Sequence, residues 1–196
     1  MSARLLLLAL LLLPMTSPAA PKAETAVFGM GCFWCSEALY KKFKGVEKIV
    51  CGYAGGQRPN PTYEQVCTGA TGHAEVVEIT YDPAVITYRQ LLEIFWDVHD
   101  PTTLNRQGND VGTQYRSVIF YQGDAQKQEA EASKKEAAAR FHQEIVTEIS
   151  PLPAFYPAED YHQDYFRKHP DVPYCAYVIS PKLQKLEQHP PPVPFK

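Results

Sequence analysis

The sequence predicts one α+β domain with a ferredoxin-like βαββαβ core, long loops and extra C-terminal elements. Two observations indicate this class. First, segments with the apolar spacing of strands and helices follow one another in the order βαββαβ along the first 121 residues. Second, the chain of 196 residues is 45% hydrophobic and 21% charged. Such a length and composition are typical of one globular domain. We place this domain at residues 20–189.

The first half of the core follows from short apolar segments that glycines separate. Ala26–Met30 is a continuous apolar run and predicts a buried strand. The apolar residues of Phe33–Phe43 recur at helical spacing, and Gly45 ends this predicted helix. Val46–Tyr53 predicts a second strand, which ends before Gly55-Gly56.

The second half of the core is framed by two polar loops. Residues 56–74 are rich in Gly, Pro, Asn and Thr and predict a long loop, and Asp100–Gln114 predicts another. Between them, Glu75–Tyr81 alternates as a strand does, and Thr87–Val98 has the pattern of an amphipathic helix. The strand Tyr115–Tyr121 completes the βαββαβ order.

Three further elements and a tail follow the core. Asp124–Phe141 is a charged, Ala-rich segment that predicts a surface helix. Ile145–Ile149 predicts a short strand and Ala158–Lys168 a short helix. The last residues, 190–196, begin with three consecutive prolines, so we expect a tail without regular packing.

The N-terminal residues have the layout of a secretory signal peptide. Arg4 precedes the apolar run Leu5–Leu13, and Ser17-Pro18-Ala19 supplies small residues for cleavage. The run is about half as long as a membrane-spanning helix. We therefore expect residues 1–19 to be removed during secretion across the inner membrane, which leaves a periplasmic protein in an oxidising compartment. An uncleaved anchor is the alternative.

Charge and cysteine content exclude two further classes. With 19 Lys and Arg against 22 Asp and Glu, the net charge is −3, which gives no basic footprint for nucleic acid. The five cysteines are an odd number, so at least one thiol is unpaired, which excludes a fully paired disulfide scaffold.

The most informative short motif is Gly31-Cys32-Phe33-Trp34-Cys35, where a predicted strand ends and a helix begins. The free N–H groups of a helix start favour negative charge, so we expect a lowered pKa at Cys32. Cys35 lies one helical turn further and can reach Cys32 to form a disulfide. The alternative is a buried structural cysteine, but a C-x-x-C pair at this junction favours thiol redox chemistry.

Glu75 is the second candidate, at the start of a strand face that is otherwise apolar. A carboxyl group in apolar surroundings has a raised pKa, which suits a general acid, whereas a solvated carboxylate would have no such role. Tyr63, Asp110 and Tyr115 lie in or beside the two long loops. Each of them could equally be ordinary surface.

Seven segments together resemble the A-type peptide methionine sulfoxide reductases, in collinear order over about residues 25–183. These segments are Gly31-Cys32-Phe33-Trp34, Gly52-Tyr53-Ala54-Gly55-Gly56, Asn60-Pro61-Thr62-Tyr63, Thr71-Gly72-His73-Ala74-Glu75, Gln107-Gly108-Asn109-Asp110, Gly112-Thr113-Gln114-Tyr115-Arg116-Ser117 and Ala158-Glu159-Asp160-Tyr161-His162-Gln163.

This resemblance implies a reductase for the S epimer of methionine sulfoxide, free or in oxidised proteins, with a thioredoxin-like thiol reductant. It implies the following roles by position: Cys32 as nucleophile, Glu75 as acid, Tyr63, Tyr115 and Asp110 as its hydrogen-bonding companions, and Phe33 with Trp34 as the cage for the sulfoxide methyl group. Thiol chemistry through a sulfenic acid and a disulfide requires no metal or organic cofactor. We further expect a monomer.

The sequence departs from the common family pattern at the second thiol. Cys35 stands where the family usually has glycine, and the C-terminal segment carries one cysteine, Cys175. Both are candidates to resolve the sulfenic acid. Because proximity favours Cys35, we expect a Cys32–Cys35 disulfide first and Cys175, on a segment expected to be mobile, as a relay. Cys51 and Cys67 are interpreted as bystanders.

Four other classes share parts of this pattern. A thioredoxin-like oxidoreductase would need a cis-proline facing the cysteines, and no proline here follows a suitable strand. A papain-like protease would use Cys32 with His162, but it needs Trp or Tyr directly after the nucleophile, and Phe33 follows Cys32. A zinc site lacks a second ligand pair. A binding module would explain the long loops but not a thiol at a helix start.

Overall fold

The computed structural model describes residues 22–193 and 195–196, so the predicted signal peptide lies outside the described residues. The strands are β1 (Glu24–Met30), β2 (Val46–Ala54), β3 (Ala74–Tyr81), β4 (Arg106–Gln107), β5 (Asp110–Val111), β6 (Ser117–Tyr121), β7 (Glu148–Pro151) and β8 (Tyr156–Pro157). The helices are α1 (Phe33–Tyr40), α2 (Tyr63–Cys67), α3 (Tyr88–Val98), α4 (Asp124–Ala137), α5 (Tyr165–Lys168) and α6 (Ser180–Gln188).

Six strands form one sheet in the order β7-β6-β1-β3-β2-β8, and β4 pairs with β5 in a separate hairpin. The four central strands β6, β1, β3 and β2 are antiparallel and follow the β1-α1-β2-β3-α3-β6 sequence order of a ferredoxin-like core. The predicted α+β class is therefore confirmed. The additional strand β7 pairs in parallel with β6, and β8 extends the other edge beside β2.

The main core lies where the helices α1 and α3 cover the sheet. Phe28 on β1 packs against Tyr40 on α1 and Phe95 on α3, with ring centroids 6.0 and 5.4 Å apart. All three side chains are fully buried, and each such burial stabilises the fold by about 1.5–3 kcal/mol. This packing holds the start of α1 at the end of β1.

Two predicted loops contain short elements that the sequence analysis missed. Residues 56–74 include α2, whose N-cap Thr62 and third residue Gln65 form a reciprocal capping box. The spacing Thr62-x-x-Gln65 was the available signal for this helix. The loop Asp100–Gln114 contains the β4–β5 hairpin, and the residues Thr113–Tyr115 form a 3-10 turn before β6 begins at Ser117.

Several predicted boundaries were wrong. The first helix ends at Tyr40 instead of Phe43, because the chain turns there toward Gly45, whose φ is +84°. The charged helix ends at Ala137 and continues only as a 3-10 turn, Ala138–Arg140. The strand expected at Ile145–Ile149 is shifted to Glu148–Pro151, where it pairs with β6.

The predicted helix Ala158–Lys168 is also wrong, since it is broken into a 3-10 turn, Asp160–His162, and α5. Asp164 between them has a left-handed φ of 58°. Its backbone N–H donates to both carboxylate oxygens of Glu37 at 3.0 and 2.9 Å. This tertiary contact with a buried carboxylate opposes a continuous helix.

The C-terminal segment is helical where we expected mobility. A π-helical turn, Cys175–Ile179, leads directly into α6. Cys175 is fully buried in the main core. The described residues beyond 189, which are 190–193 and 195–196, form no helix, and Phe195 packs edge-on against Phe43, with centroids 5.4 Å apart.

Candidate active site

The site begins where β1 ends and α1 starts. Gly31 has a φ of +88°, and a Cβ atom added there would lie 2.6 Å from the Cβ atom of Gln107. Only glycine fits this turn, because it has neither the steric penalty at positive φ nor a side chain. The turn places Cys32 at the N-cap of α1.

Glu75 lies at the start of β3, which runs antiparallel beside β1. Its side chain is only 1% exposed, and its Oε2 atom accepts a hydrogen bond from the backbone N–H of Phe33 at 3.1 Å. This N–H is one of those that a helix start leaves free. Glu75 is thereby attached to the first residue after Cys32.

Burial, together with the smaller effect of the negative charge of Asp110, raises the pKa of Glu75 to about 8 against the opposing hydrogen bond from Phe33. A carboxyl with this pKa is protonated at neutral pH. The group can therefore donate a proton at a pH where an ordinary carboxylate cannot.

A cavity of about 190 Å³ opens at these two residues. Its lining residues come from five different parts of the chain and are Cys32, Phe33, Trp34, Tyr63, Glu75, Asp110, Tyr115 and Tyr174. The structure thus brings together seven of the nine residues selected from the sequence. The other two, Cys35 and Cys175, lie behind the cavity and are buried.

The two thiols at the start of α1 differ in the direction of their pKa shifts. Burial and the hydrogen bond that Cys32 donates to Cys35 raise the pKa of Cys32. The hydrogen bond from Cys32 and the cationic Lys182 lower the pKa of Cys35 to about 7 against the effect of burial.

The expected lowering of the Cys32 pKa by the helix start is wrong. The N–H group of Phe33, which could have stabilised a thiolate at Cys32, donates to Glu75 instead. Cys32 is also 7% exposed, so little water replaces the missing donor. The sequence pattern does not reveal which acceptor takes this N–H.

Tyr174 is a lining residue that the sequence analysis did not select. Its hydroxyl group donates to Oδ2 of Asp110 at 2.6 Å and lies 3.7 Å from Sγ of Cys35. The residue immediately precedes Cys175, and this adjacency was the only sequence signal. Its effect is to connect Asp110 at the cavity with the second thiol.

The indole of Trp34 is fixed from behind by two rings. It stacks on Tyr165 with centroids 3.8 Å apart and planes 6° from parallel. Its Nε1–H donates to Nδ1 of His162 at 3.1 Å. Since Nδ1 of His162 accepts this bond, the ring orients Trp34, which does not support its use as the base of a papain-like protease.

Polar contacts hold the segment that carries His162. Glu159 accepts from the backbone N–H of Tyr63 at 2.8 Å and from the hydroxyl of Tyr53 at 2.9 Å. Gln163 exchanges hydrogen bonds with the backbone of Cys51 at 2.9 and 3.0 Å. These contacts give the conspicuous segment Glu159–Gln163 a supporting function around Tyr63 and Trp34.

The remaining cysteines lie outside the cavity. Cys51 is fully buried, with its Sγ 3.7 Å from the carbonyl oxygen of Phe33, and Cys67 is exposed on α2. Within residues 22–193 and 195–196, no group of His, Cys, Asp or Glu side chains is arranged to hold a metal ion. In the same residues, no helix is long and apolar enough to cross a membrane.

A ferredoxin-like domain in which one thiol and a protonated carboxyl line a small aromatic cavity, with a second thiol one helical turn further, is typical of a thiol-dependent oxidoreductase. Comparisons with known proteins specify the family. The sequence model described as "Peptide methionine sulfoxide reductase" matches residues 24–192. The peptide methionine sulfoxide reductase MsrA of Sulfolobus acidocaldarius is 58% identical over 163 residues, which are 83% of this chain and 93% of that protein.

Two solved structures agree with this relationship. The reduced form of Mxr1 from Saccharomyces cerevisiae is 40% identical, with a TM-score of 0.75 over 79% of this chain and 90% of that one. Mxr1 in complex with Trx2 is 30% identical, with a TM-score of 0.55 over 77% of this chain and 89% of that one. The chain belongs to the peptide methionine sulfoxide reductase family and is a thiol-dependent enzyme that reduces methionine sulfoxide.

Proposed function

We propose that this enzyme reduces the S epimer of methionine sulfoxide, free or in proteins, with Cys32 as nucleophile and Glu75 as general acid. The observation that carries this proposal is the buried, protonated carboxyl of Glu75 in the same 190 Å³ cavity as Cys32. A sulfoxide oxygen leaves readily only when it is protonated. An acid next to the thiol is therefore the group that the reaction needs.

In the first step, the Cys32 sulfur attacks the sulfoxide sulfur while Glu75 protonates the oxygen. The Cys35 thiolate accepts a hydrogen bond from the Cys32 thiol and is the base within reach for its proton. The bond between the two sulfurs and the S–O bond of the substrate then break as the protonated oxygen is transferred to the Cys32 sulfur, so methionine and a Cys32 sulfenic acid are the products. Because Glu75 is uncharged at neutral pH, it does not repel the thiolate of Cys32.

Tyr63 and Tyr115 supply further donors to the sulfoxide oxygen. Burial raises the pKa of both phenols, with the negative charges of neighbouring groups adding to the effect, so they remain protonated. Both line the cavity with Glu75, and Asp110 lies across it. Hydroxyl groups aimed at a developing negative oxygen stabilise the transition state.

The aromatic wall supports selection of one epimer. Phe33 and Trp34 line the cavity beside the thiol, and the stacked Tyr165 keeps the indole in place. If the methyl group contacts these rings, while the oxygen faces Glu75 and the sulfur faces Cys32, three substituents of a chiral sulfur are fixed. The opposite epimer would then direct its oxygen away from the acid.

The sulfenic acid is resolved first by Cys35 in this proposal. Cys35 follows Cys32 by one helical turn and already contacts its side chain, so no element has to unfold. Cys175 is fully buried in a helical turn, and direct attack by it would require that turn to open. Its later use as a relay therefore requires local opening of the C-terminal helix.

A thioredoxin-like protein is the proposed reductant of the resulting disulfide. The related Mxr1 has been solved in complex with Trx2, and thiol–disulfide exchange with a dithiol protein would return both cysteines to the reduced state. We further propose a monomer, because one chain supplies all eight lining residues of the cavity. The signal-peptide pattern in residues 1–19 supports a periplasmic enzyme that repairs extracytoplasmic proteins.

The test uses peptides that carry the separate R and S epimers of methionine sulfoxide, with dithiothreitol as reductant. The wild-type enzyme is expected to convert the S peptide to methionine and to leave the R peptide unchanged. Cys67→Ser, which changes an exposed thiol outside the cavity, serves as a control and should retain activity. Equal conversion of both epimers, or of the R epimer alone, would contradict the specificity proposed here.

The periplasmic location needs a separate experiment. In a Gram-negative host, the full chain should be found shortened in the periplasmic fraction, with its new N-terminus near residue 20. A chain that retains residue 1 in the cytoplasmic fraction would contradict the secretion proposal.

A further inference from the structure

The surroundings of Cys35 include a cation that the reaction described above does not use. Lys182 on α6 places its Nζ atom 4.0 Å from Sγ of Cys35, and the hydroxyl of Tyr174 lies 3.7 Å from the same sulfur. Cys35 itself is 3% exposed. A buried sulfur with a cation beside it is in a site that favours negative charge, since the Tyr174 hydroxyl donates its proton to Asp110.

Lys182 has no competing partner in the part of the chain that the structure describes. Other lysines of the molecule form ion pairs, such as Lys41 with Glu37 and Asp164. No carboxylate among residues 22–193 and 195–196 lies within 4.0 Å of the Lys182 ammonium group, whose one hydrogen-bonding contact there is Cys35. The charge of Lys182 is therefore directed at the thiol.

The π-helical turn explains how two residues of the same segment reach one sulfur. In an uninterrupted α-helix, positions eight apart such as 174 and 182 differ in direction by about 80°. One additional residue in a π turn removes about 100° of this rotation, which leaves the two positions within about 20° of each other. The turn Cys175–Ile179 lies between Tyr174 and Lys182.

We propose that Lys182 is a positioning residue that holds Cys35 as an anion for its attack on the Cys32 sulfenic acid. This inference rests on the proposed function in that Cys35 is taken as the resolving thiol. In the step itself, the S–S bond forms as the S–O bond of the sulfenic acid breaks. The hydroxide leaves as water after taking a proton from Glu75 or solvent, while Cys35 is oxidised and the sulfenic sulfur of Cys32 is reduced.

The groups that face Cys35 come from several elements. The hydrogen bond from Cys32 and the charge of Lys182 favour the thiolate, whereas burial and the charge of Asp110 oppose it. The Tyr174 hydroxyl donates to Asp110. Cys175 is close enough for the Cys35 charge to raise its pKa. Since the pKa of Cys35 is about 7, removal of the cation should change the thiolate population most strongly near neutral pH.

The first test reads the Cys35 thiolate without any reductase activity. In a Cys32→Ser background, the rate of Cys35 alkylation by iodoacetamide is measured against pH, with the labelled cysteine identified by mass spectrometry. Lys182→Gln should reduce this rate about threefold at pH 7, because the cation is one of the groups that lower the pKa of Cys35. The rates should converge above pH 9.5.

Two matched variants separate charge from packing. Lys182→Arg keeps the positive charge and should retain most of the reactivity at pH 7. Lys185→Gln removes a charge from an exposed position of the same helix and should leave the profile unchanged. A Lys182→Gln profile that coincides with its parent, or an equal shift in Lys185→Gln, would overturn the proposal.

The second test follows the reaction itself after one equivalent of the S-sulfoxide peptide is added. Samples are quenched at successive times, and methionine release and the loss of the second free thiol are measured separately. Loss of this second thiol in Lys182→Gln should be about threefold slower at pH 7. Absence of methionine release in the wild type would refute the proposed function. Unchanged thiol loss in Lys182→Gln, with normal release in the wild type, would instead refute only the role of Lys182.

Discussion

The cavity around Cys32 and the α6 side of Cys35 are adjacent regions with opposite electrostatic character. None of the eight residues that line the cavity is a cation, and its two acidic residues are Glu75 and Asp110. On the other side, Lys182 lies 4.0 Å from Cys35. The two thiols are three residues apart at the start of α1, yet burial raises the pKa of the first, while the pKa of the second falls to about 7.

This difference shows that position at a helix start does not by itself determine the state of a thiol. The free N–H of Phe33 is used by Glu75, and the side chains facing each sulfur decide its charge. The cavity side retains protons for delivery to a sulfoxide oxygen. The α6 side stabilises negative charge, as a resolving thiol requires.

The largest expected effect comes from Cys32→Ser. A hydroxyl group is barely ionised at neutral pH and cannot replace the thiol, so turnover should fall by more than about 10³-fold. Conversion of the S-sulfoxide peptide is measured with dithiothreitol as reductant, and circular dichroism checks the fold. Appreciable turnover in this variant would assign the attack to another cysteine.

Glu75→Gln should reduce the rate of methionine release in a single turnover by about 10²–10⁴-fold, with little change in substrate affinity. Wild-type release should also decline as Glu75 ionises near its pKa of about 8, and this alkaline decline should be absent in the variant. Glu78→Gln, on the same strand but only partly buried, is the control. If the rate of methionine release in Glu75→Gln falls by only a few-fold, the role of Glu75 is limited to its structural contact between β3 and α1.

The same carboxyl should make the stability of the protein depend on pH. Because the folded pKa of Glu75 is about 8 against an ordinary value of 4.5, its contribution is fully present below pH 4.5 and is lost as pH rises through about 8. The shift corresponds to roughly 3–5 kcal/mol. Urea unfolding at pH 5 and pH 9 should show this loss in the wild type and a smaller one in Glu75→Gln; equal losses would place the titrating group elsewhere.

The smallest effect is expected for Tyr115→Phe. Removal of one of several donors to the sulfoxide oxygen should slow methionine release about tenfold, in line with the loss of one hydrogen bond of roughly 1–1.5 kcal/mol. Tyr121→Phe, on the neighbouring strand β6 and outside the cavity, is a matched control. If the two variants behave alike, the Tyr115 hydroxyl does not contact the reacting oxygen.

Local patterns in the sequence were sufficient for the fold of the core. The alternation of Glu75–Tyr81 and the helical spacing of Thr87–Val98 directly reflect which side chains are buried. Predictions failed where tertiary contacts override local pattern. The helix expected over Ala158–Lys168 breaks at Asp164, whose N–H group binds a carboxylate 127 residues earlier in the chain.

The candidate site shows the same limit. Motifs identified Cys32, Phe33, Trp34 and Glu75 because their residue types and positions are distinctive. Lys182 and Tyr174 lie on a C-terminal helix that the sequence pattern did not reveal, since its π turn interrupts the regular spacing. Which of the two thiols lies beside the Lys182 ammonium group depends on how this helix packs against α1, and that packing is a property of the folded chain.

The most direct test of the division between the two thiols is the identity of the first disulfide. One equivalent of the S-sulfoxide peptide is added to the fully reduced enzyme without reductant, and the reaction is quenched with acid at successive times for disulfide mapping by mass spectrometry. We predict one methionine per enzyme and a Cys32–Cys35 disulfide as the first to appear. A Cys32–Cys175 disulfide that precedes it, or one that forms at the wild-type rate in Cys35→Ser, would contradict this account.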